Sequence, residues 1–139
     1  MGGSFTELSH TADTGIEVSA DSLGELLEWA ARGMFSLMYP LDELTSTRSV
    51  LVEVDSPDTA ELLVDLLSDI LYLAEAHDVI PCVFQTREAT ATAARVMVHV
   101  APLEPDWLHG PPIKAVTYHD LAVTNDTEDG WRARIVFDV

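Results

Sequence analysis

An α+β fold is predicted for this chain: a two-layer sandwich of a mixed or mostly antiparallel sheet with two amphipathic helices packed on one face. Three observations point to it. Between Phe5 and His77 the apolar period switches from two to near 3.6, back to two, and again to 3.6. From Ile80 onward only period two remains. Strands that follow one another without an intervening helix pair antiparallel most readily.

The elements follow in order. "FTEL", a turn, and "GIEVSA" (Gly15 to Ala20) read as strand, with Ile16, Val18 and Ala20 on one face. In "DSLGELLEWAARGMFSLMYP", Ser22 and Glu25 have capping-box spacing. Leu23, Leu26, Leu27, Ala30, Met34, Leu37 and Met38 line one helical face, and Pro40 ends the run. "TRSVLVEVDS" alternates Val50, Val52 and Val54 with Ser49 and Glu53, a strand. Ser56-Pro57 offers an N-cap with proline in the first turn. Leu62, Leu63, Leu66, Leu67, Ile70, Leu73 and Ala74 then make a second amphipathic helix ending near His77. "PCVFQTRE", "ARVMVHVA", "IKAVTYHDLAV" and "RARIVFDV" are expected as strands, with "EDGW" a turn before the last.

With 139 residues and no linker or repeat, the chain is expected to form a single domain over residues 1–139. No apolar run approaches the roughly 18–20 residues that span a bilayer, and "MGGSFTEL" has no signal-peptide pattern. A lone cysteine, Cys82, has no partner for a disulfide or zinc knuckle. It reads as a buried structural thiol in a reduced, cytoplasmic setting. Twenty-four acidic residues against seven basic ones give a formal net charge of −17. Phosphate-backbone binding needs a basic stripe, so direct nucleic-acid binding is not expected, and the chain is taken to be monomeric when free. Lys114 is the only lysine, which singles it out in a chain whose other cations are arginines.

Three clusters could carry chemistry. "SHTADTGIEV" crowds His10, Thr11 and Asp13 before a strand; they can shape a turn, or Asp13 can ligate a hard cation that needs a second carboxylate from elsewhere. In "KAVTYHDLAV", a strand would put Lys114, Val116, Tyr118 and Asp120 on one face and His119 on the other. Lys114 and Tyr118 read either as a solvated edge or as a binding surface. The strand "WRARIVFDV" runs to the last residue and is expected to be sheet-bound, fixing Asp138 beside the terminal carboxylate. Asp138 could supply the missing ligand, or could pair with Arg132 or Arg134. His77, His99 and His109 stand alone in the sequence, and Pro102 to Ile113 reads as a rigid connector. No Gly-rich phosphate loop, nucleophile elbow or HExxH pattern occurs.

In order over Phe5 to Val139, "HTADTGIEV", "AARGMFSLM", "ELLVDLLSDILYL", "IKAVTYHDL" and a final "FDV" together resemble the archease family. The resemblance implies a small acidic, non-catalytic activator of an RtcB-type RNA ligase. Such a protein would promote guanylylation of the ligase's active-site histidine and repeated turnover in tRNA splicing or RNA repair. It also implies a divalent-cation site, for Ca²⁺, Mg²⁺ or Mn²⁺, formed by Asp13, Asp138 and Val139. Lys114, with His10, Thr11, Tyr118 and His119, would support that site or touch the partner. Many family members carry an acidic residue where this chain has Ser9. Two other readings remain: a general chaperone or adaptor of RNA-processing enzymes, and a stand-alone metal-dependent hydrolase, for which no base or nucleophile is evident.

Overall fold

The computed structural model describes residues 2–8 and 14–139. Among them the α+β class holds, with two α-helices and each strand pairing antiparallel. The strands divide between two sheets, where the sequence pattern predicted one. Strands β1 (Gly3–Glu7), β2 (Thr14–Ala20), β6 (Ala115–Val116), β7 (Ala122–Asp126) and β8 (Gly130–Asp138) form the first. Strand β2 lies between β1 and β8, while β6 and β7 both pair with β8. Strands β3 (Arg48–Asp55), β4 (Val79–Ala89) and β5 (Ala93–Pro102) form the second, in the order β3-β5-β4. Local alternation sets which face a strand buries but says nothing of which sheet it joins.

Helix α1 (Leu23–Ser36) starts as its capping signal predicts: the Ser22 hydroxyl accepts from the Glu25 N–H at 3.2 Å and donates to the Glu25 carboxylate at 3.0 Å. It ends at Ser36, so Leu37 and Met38 lie beyond it, although Met38 is still buried. Helix α2 (Thr59–His77) begins two residues later than the predicted Ser56 cap implies. Asp58 is the cap, accepting from the Glu61 N–H at 2.9 Å, and Ser56 instead donates to Asp65 at 2.6 Å. Asp78 closes α2 in the left-handed region, its N–H donating to the Ala74 carbonyl.

Each helix touches strands of both sheets, so one contiguous core runs through the molecule. Leu26, Leu27, Met34 and Phe35 of α1 and Leu62, Leu63, Leu66, Leu67 and Ile70 of α2 are almost fully buried in it. Each such side chain contributes about 1.5–3 kcal/mol relative to exposure. Strand β4 is an edge, and α1 covers it: Glu28 accepts from the Thr86 N–H at 2.8 Å, and the Thr86 hydroxyl donates to the Gly24 carbonyl. Among the described residues no helix is long and apolar enough to cross a membrane.

The segment predicted as one strand from Ile113 to Val123 is broken. Residues pair with β8 only at 115–116 and again from 122, with a turn between. Thr117 explains the break: its N–H and its hydroxyl both bond the Val136 carbonyl, at 3.0 and 2.9 Å. Asp120 then adopts φ 52°, a left-handed turn conformation. The turn between β7 and β8 is as predicted, with the Asp126 carboxylate accepting from the Glu128 and Asp129 N–H groups. Gly130 closes it at φ 67°, where a Cβ would meet the Ala20 carbonyl oxygen at 2.8 Å.

Candidate functional site

Strand β8 is held on both edges at its carboxyl end. On one side Thr14 pairs with Phe137 and Gly15 with Val136; on the other, Val116 pairs with Phe137 and Ala115 with Asp138. The Lys114 N–H donates to the Asp138 carbonyl at 2.7 Å. Phe137 is buried while Asp138 and Val139 are exposed, which anchors the strand and leaves its tip in water. Gly15 permits this close pairing, since a Cβ there would lie 2.5 Å from the Ile135 carbonyl oxygen.

Three stretches far apart in sequence therefore meet around one strand end. The "KAV" segment and "FDV" are brought together directly. The strand that begins at Thr14, next in sequence after Asp13, flanks "FDV" on its other edge. His10, Thr11 and Asp13, like Ser9, lie outside the described residues. Asp138 does not pair with Arg132 or Arg134: its carboxylate has no hydrogen bond or ion pair with a described residue, and Arg134 instead reaches Glu17 at 3.3 Å. Among the described residues no three His, Cys, Asp or Glu side chains cluster as a metal site.

Lys114 sits where Ser68, Leu71, Tyr72 and Glu75 of α2 meet β6 around a shallow hollow of about 210 Å³. Tyr72 is 72% exposed there. Tyr118 does not share a strand face with Lys114 as predicted. It lies in the turn after β6, its hydroxyl donating to Glu61 of α2 at 2.7 Å. That bond raises the phenol above its ordinary pKa, and slight desolvation and the charges of Glu61 and Asp65 add to it. His119 and Asp120 were expected on opposite faces; the turn brings His119 Nε2 within 3.3 Å of the Asp120 carboxylate. Glu61 thus serves twice, its N–H donating to the Asp58 cap and its carboxylate accepting from Tyr118 across 57 residues, a contact that leaves no local signal in the sequence.

Two further expectations concern residues away from the tip. Cys82 is buried, its thiol donating to the His99 carbonyl, and burial pushes its pKa up, as suits an inert structural thiol. His99 does not stand alone. Its Nε2 lies 2.8 Å from the Gln85 amide oxygen and its Nδ1 2.6 Å from the Ser49 hydroxyl. His109 bonds the Ser36 carbonyl, tying the Pro-rich connector to the end of α1.

The chain is similar throughout to known proteins. Residues 5–139 match the Archease protein family (MTH1598/TM1083). The protein archease of Methanosarcina acetivorans is 33% identical over 144 residues, covering 100% of this chain and 98% of that one. Its counterpart in Methanopyrus kandleri is 34% identical over 141 residues, covering 97% and 99%. The solution structure of Protein 1598 of Methanobacterium thermoautotrophicum superimposes with a TM-score of 0.77 over 99% of both chains at 23% identity, a likeness of fold. A crystal structure from Thermotoga maritima, described as an archease and possible chaperone, gives a TM-score of 0.64 over 96% of both chains at 25% identity.

Proposed function

This chain belongs to the archease family, and from that membership we propose that it is a non-catalytic activator of an RtcB-type RNA ligase. It promotes guanylylation of the ligase's active-site histidine and repeated turnover in tRNA splicing or RNA repair. In this reading Asp13, Asp138 and Val139 hold a divalent cation, Ca²⁺, Mg²⁺ or Mn²⁺, in a cytoplasmic setting. One observation supports the reading above all: the register of β8 sets the "KAV" segment and the strand that begins at Thr14 on either side of "FDV", whose last two residues are exposed.

The donor chemistry fits such an ion. Asp138 offers a carboxylate with no described partner, next to exposed Val139, and hard cations take oxygen ligands of this kind. A bound divalent cation would supply positive charge preorganised toward the oxygens of a triphosphate. The chain's own residues do the rest. Pairing of Phe137 on both edges and the Lys114 N–H bond to the Asp138 carbonyl hold the backbone of the tip in place. A net charge of −17 suits entry into a basic, phosphate-binding cleft and disfavours direct binding of nucleic acid.

Asp13→Ala and Asp138→Ala are each expected to retain the fold and to abolish stimulation of ligase guanylylation, read in a time course with substoichiometric activator. Full stimulation by both variants overturns the proposal. A second reading, a chaperone or adaptor without a metal-dependent role, draws on the description of the Thermotoga protein and on exposed Tyr72 near the tip. It requires that stimulation survive loss of both aspartates and fall with Tyr72→Ala.

A further inference from the structure

We infer that the open face of the five-stranded sheet is a binding site for a phosphate ester. That face is hollowed to about 330 Å³, at the low end of the roughly 300–1,000 Å³ typical of small-molecule pockets. The register builds it in rows across the sheet. Ser4 lies opposite Ser19, Ser19 opposite Arg132, and Arg132 opposite Thr124, so a guanidinium is flanked by hydroxyls on both sides. Directly opposed side chains in antiparallel strands have Cβ atoms about 4.5–5.5 Å apart, within the span of one phosphate group. In the next row Thr6 lies opposite Glu17 and Glu17 opposite Arg134, and these two charges pair at 3.3 Å.

Charge complementarity selects the occupant. Among the described residues Glu17 is the only carboxylate lining the hollow, and Arg134 neutralises it. Arg132 has no hydrogen bond or ion pair with a described residue, so the hollow keeps one uncompensated cation. A planar carboxylate held bidentate by the guanidinium fork keeps for the hydroxyls only the remaining lone pairs of the same two oxygens, in the same plane. A tetrahedral phosphate has further oxygens to accept from Ser19 and Thr124. The remaining volume takes the esterified group. The surrounding −17 repels a nucleic-acid strand, but charges beyond about 8–10 Å are largely screened at physiological salt, so a small monoester meets mainly Arg132.

The test titrates the full chain with inorganic phosphate, adenosine monophosphate and acetate, followed by backbone-amide NMR. Saturable shifts at Ser19, Thr124 and Arg132 are expected with both phosphates, tighter for the nucleotide, and none with acetate. Arg132→Ala, an exposed position whose amide dispersion should stay native, weakens binding about tenfold or more. Arg132→Lys, keeping the charge but not the fork, falls between. Asp138→Ala leaves this binding unchanged, which separates it from the cation site. Shifts that do not saturate, survive Arg132→Ala, or appear equally with acetate overturn the inference. Equal affinity for both phosphates overturns its ester part.

Discussion

On the outer face of the three-stranded sheet, His99 bridges Ser49 and Gln85, and Glu53 holds Arg95 at 3.0 Å. On the open face and tip of the five-stranded sheet, Arg132 and Asp138 have no described partner. Both sheets are antiparallel and share one core. What differs is that the groups around His99 and Arg95 satisfy one another, whereas Arg132 and Asp138 are left over. A self-satisfied face is finished structure, because its donors and acceptors have little left to offer a ligand. Leftover charge on rigid strands is the raw material of a site. Residue type does not distinguish the two faces, since both carry arginine, serine and carboxylate; the pairing does.

The largest effect is expected at Gly15. Gly15→Ala puts a Cβ 2.5 Å from the Ile135 carbonyl and 2.7 Å from Leu8, so β2 must shift away from β8. Overpacking against backbone costs about 1–3 kcal/mol, and the displaced pair Thr14–Phe137 adjoins the tip. Thermal unfolding should drop accordingly, and ligase stimulation should fall with it. A stability loss with full stimulation would separate the tip from the β2–β8 register.

His99→Ala is the smaller, opposite case. It removes two hydrogen bonds on a face with no assigned ligand and is expected to cost about 1 kcal/mol in denaturant unfolding. Ligase stimulation should not change. Loss of stimulation without loss of stability would show that the three-stranded sheet is also a working face.

The same division decides what the sequence made legible. Amphipathic periods are local, so α1, α2 and the buried faces of Ile16, Val18 and Ala20 follow from the residues alone, although α2 is capped by Asp58 rather than Ser56. Sheet membership is not local: Glu17 and Arg134 meet across 117 residues of chain. The split at Thr117 depends on a carbonyl of β8, and the partners of His99 lie on two other strands, so neither left a periodic trace. The candidate site was legible through family resemblance because its segments are separate motifs. That "KAV" adjoins "FDV" follows from strand register, which alternation cannot supply.

The least disruptive test concerns Tyr118, where the five-stranded sheet's turn is tied to α2. Its phenol donates to Glu61, and that bond, then desolvation and the nearby negative charges of Glu61 and Asp65, holds the proton on. The folded pKa is therefore raised above the unfolded value near 10. A raised folded pKa means that the contribution to stability is fully present below the unfolded pKa and lost as pH climbs through the folded one. In a phenolate-absorbance titration Tyr118→Phe should remove a late-titrating component, and Glu61→Gln should move that component to lower pH by deleting the anionic acceptor. Tyr39, raised by burial alone, should titrate as before in both variants. If Glu61→Gln leaves the whole titration unmoved, the Tyr118–Glu61 bond does not form in solution, and the turn after β6 is free of α2.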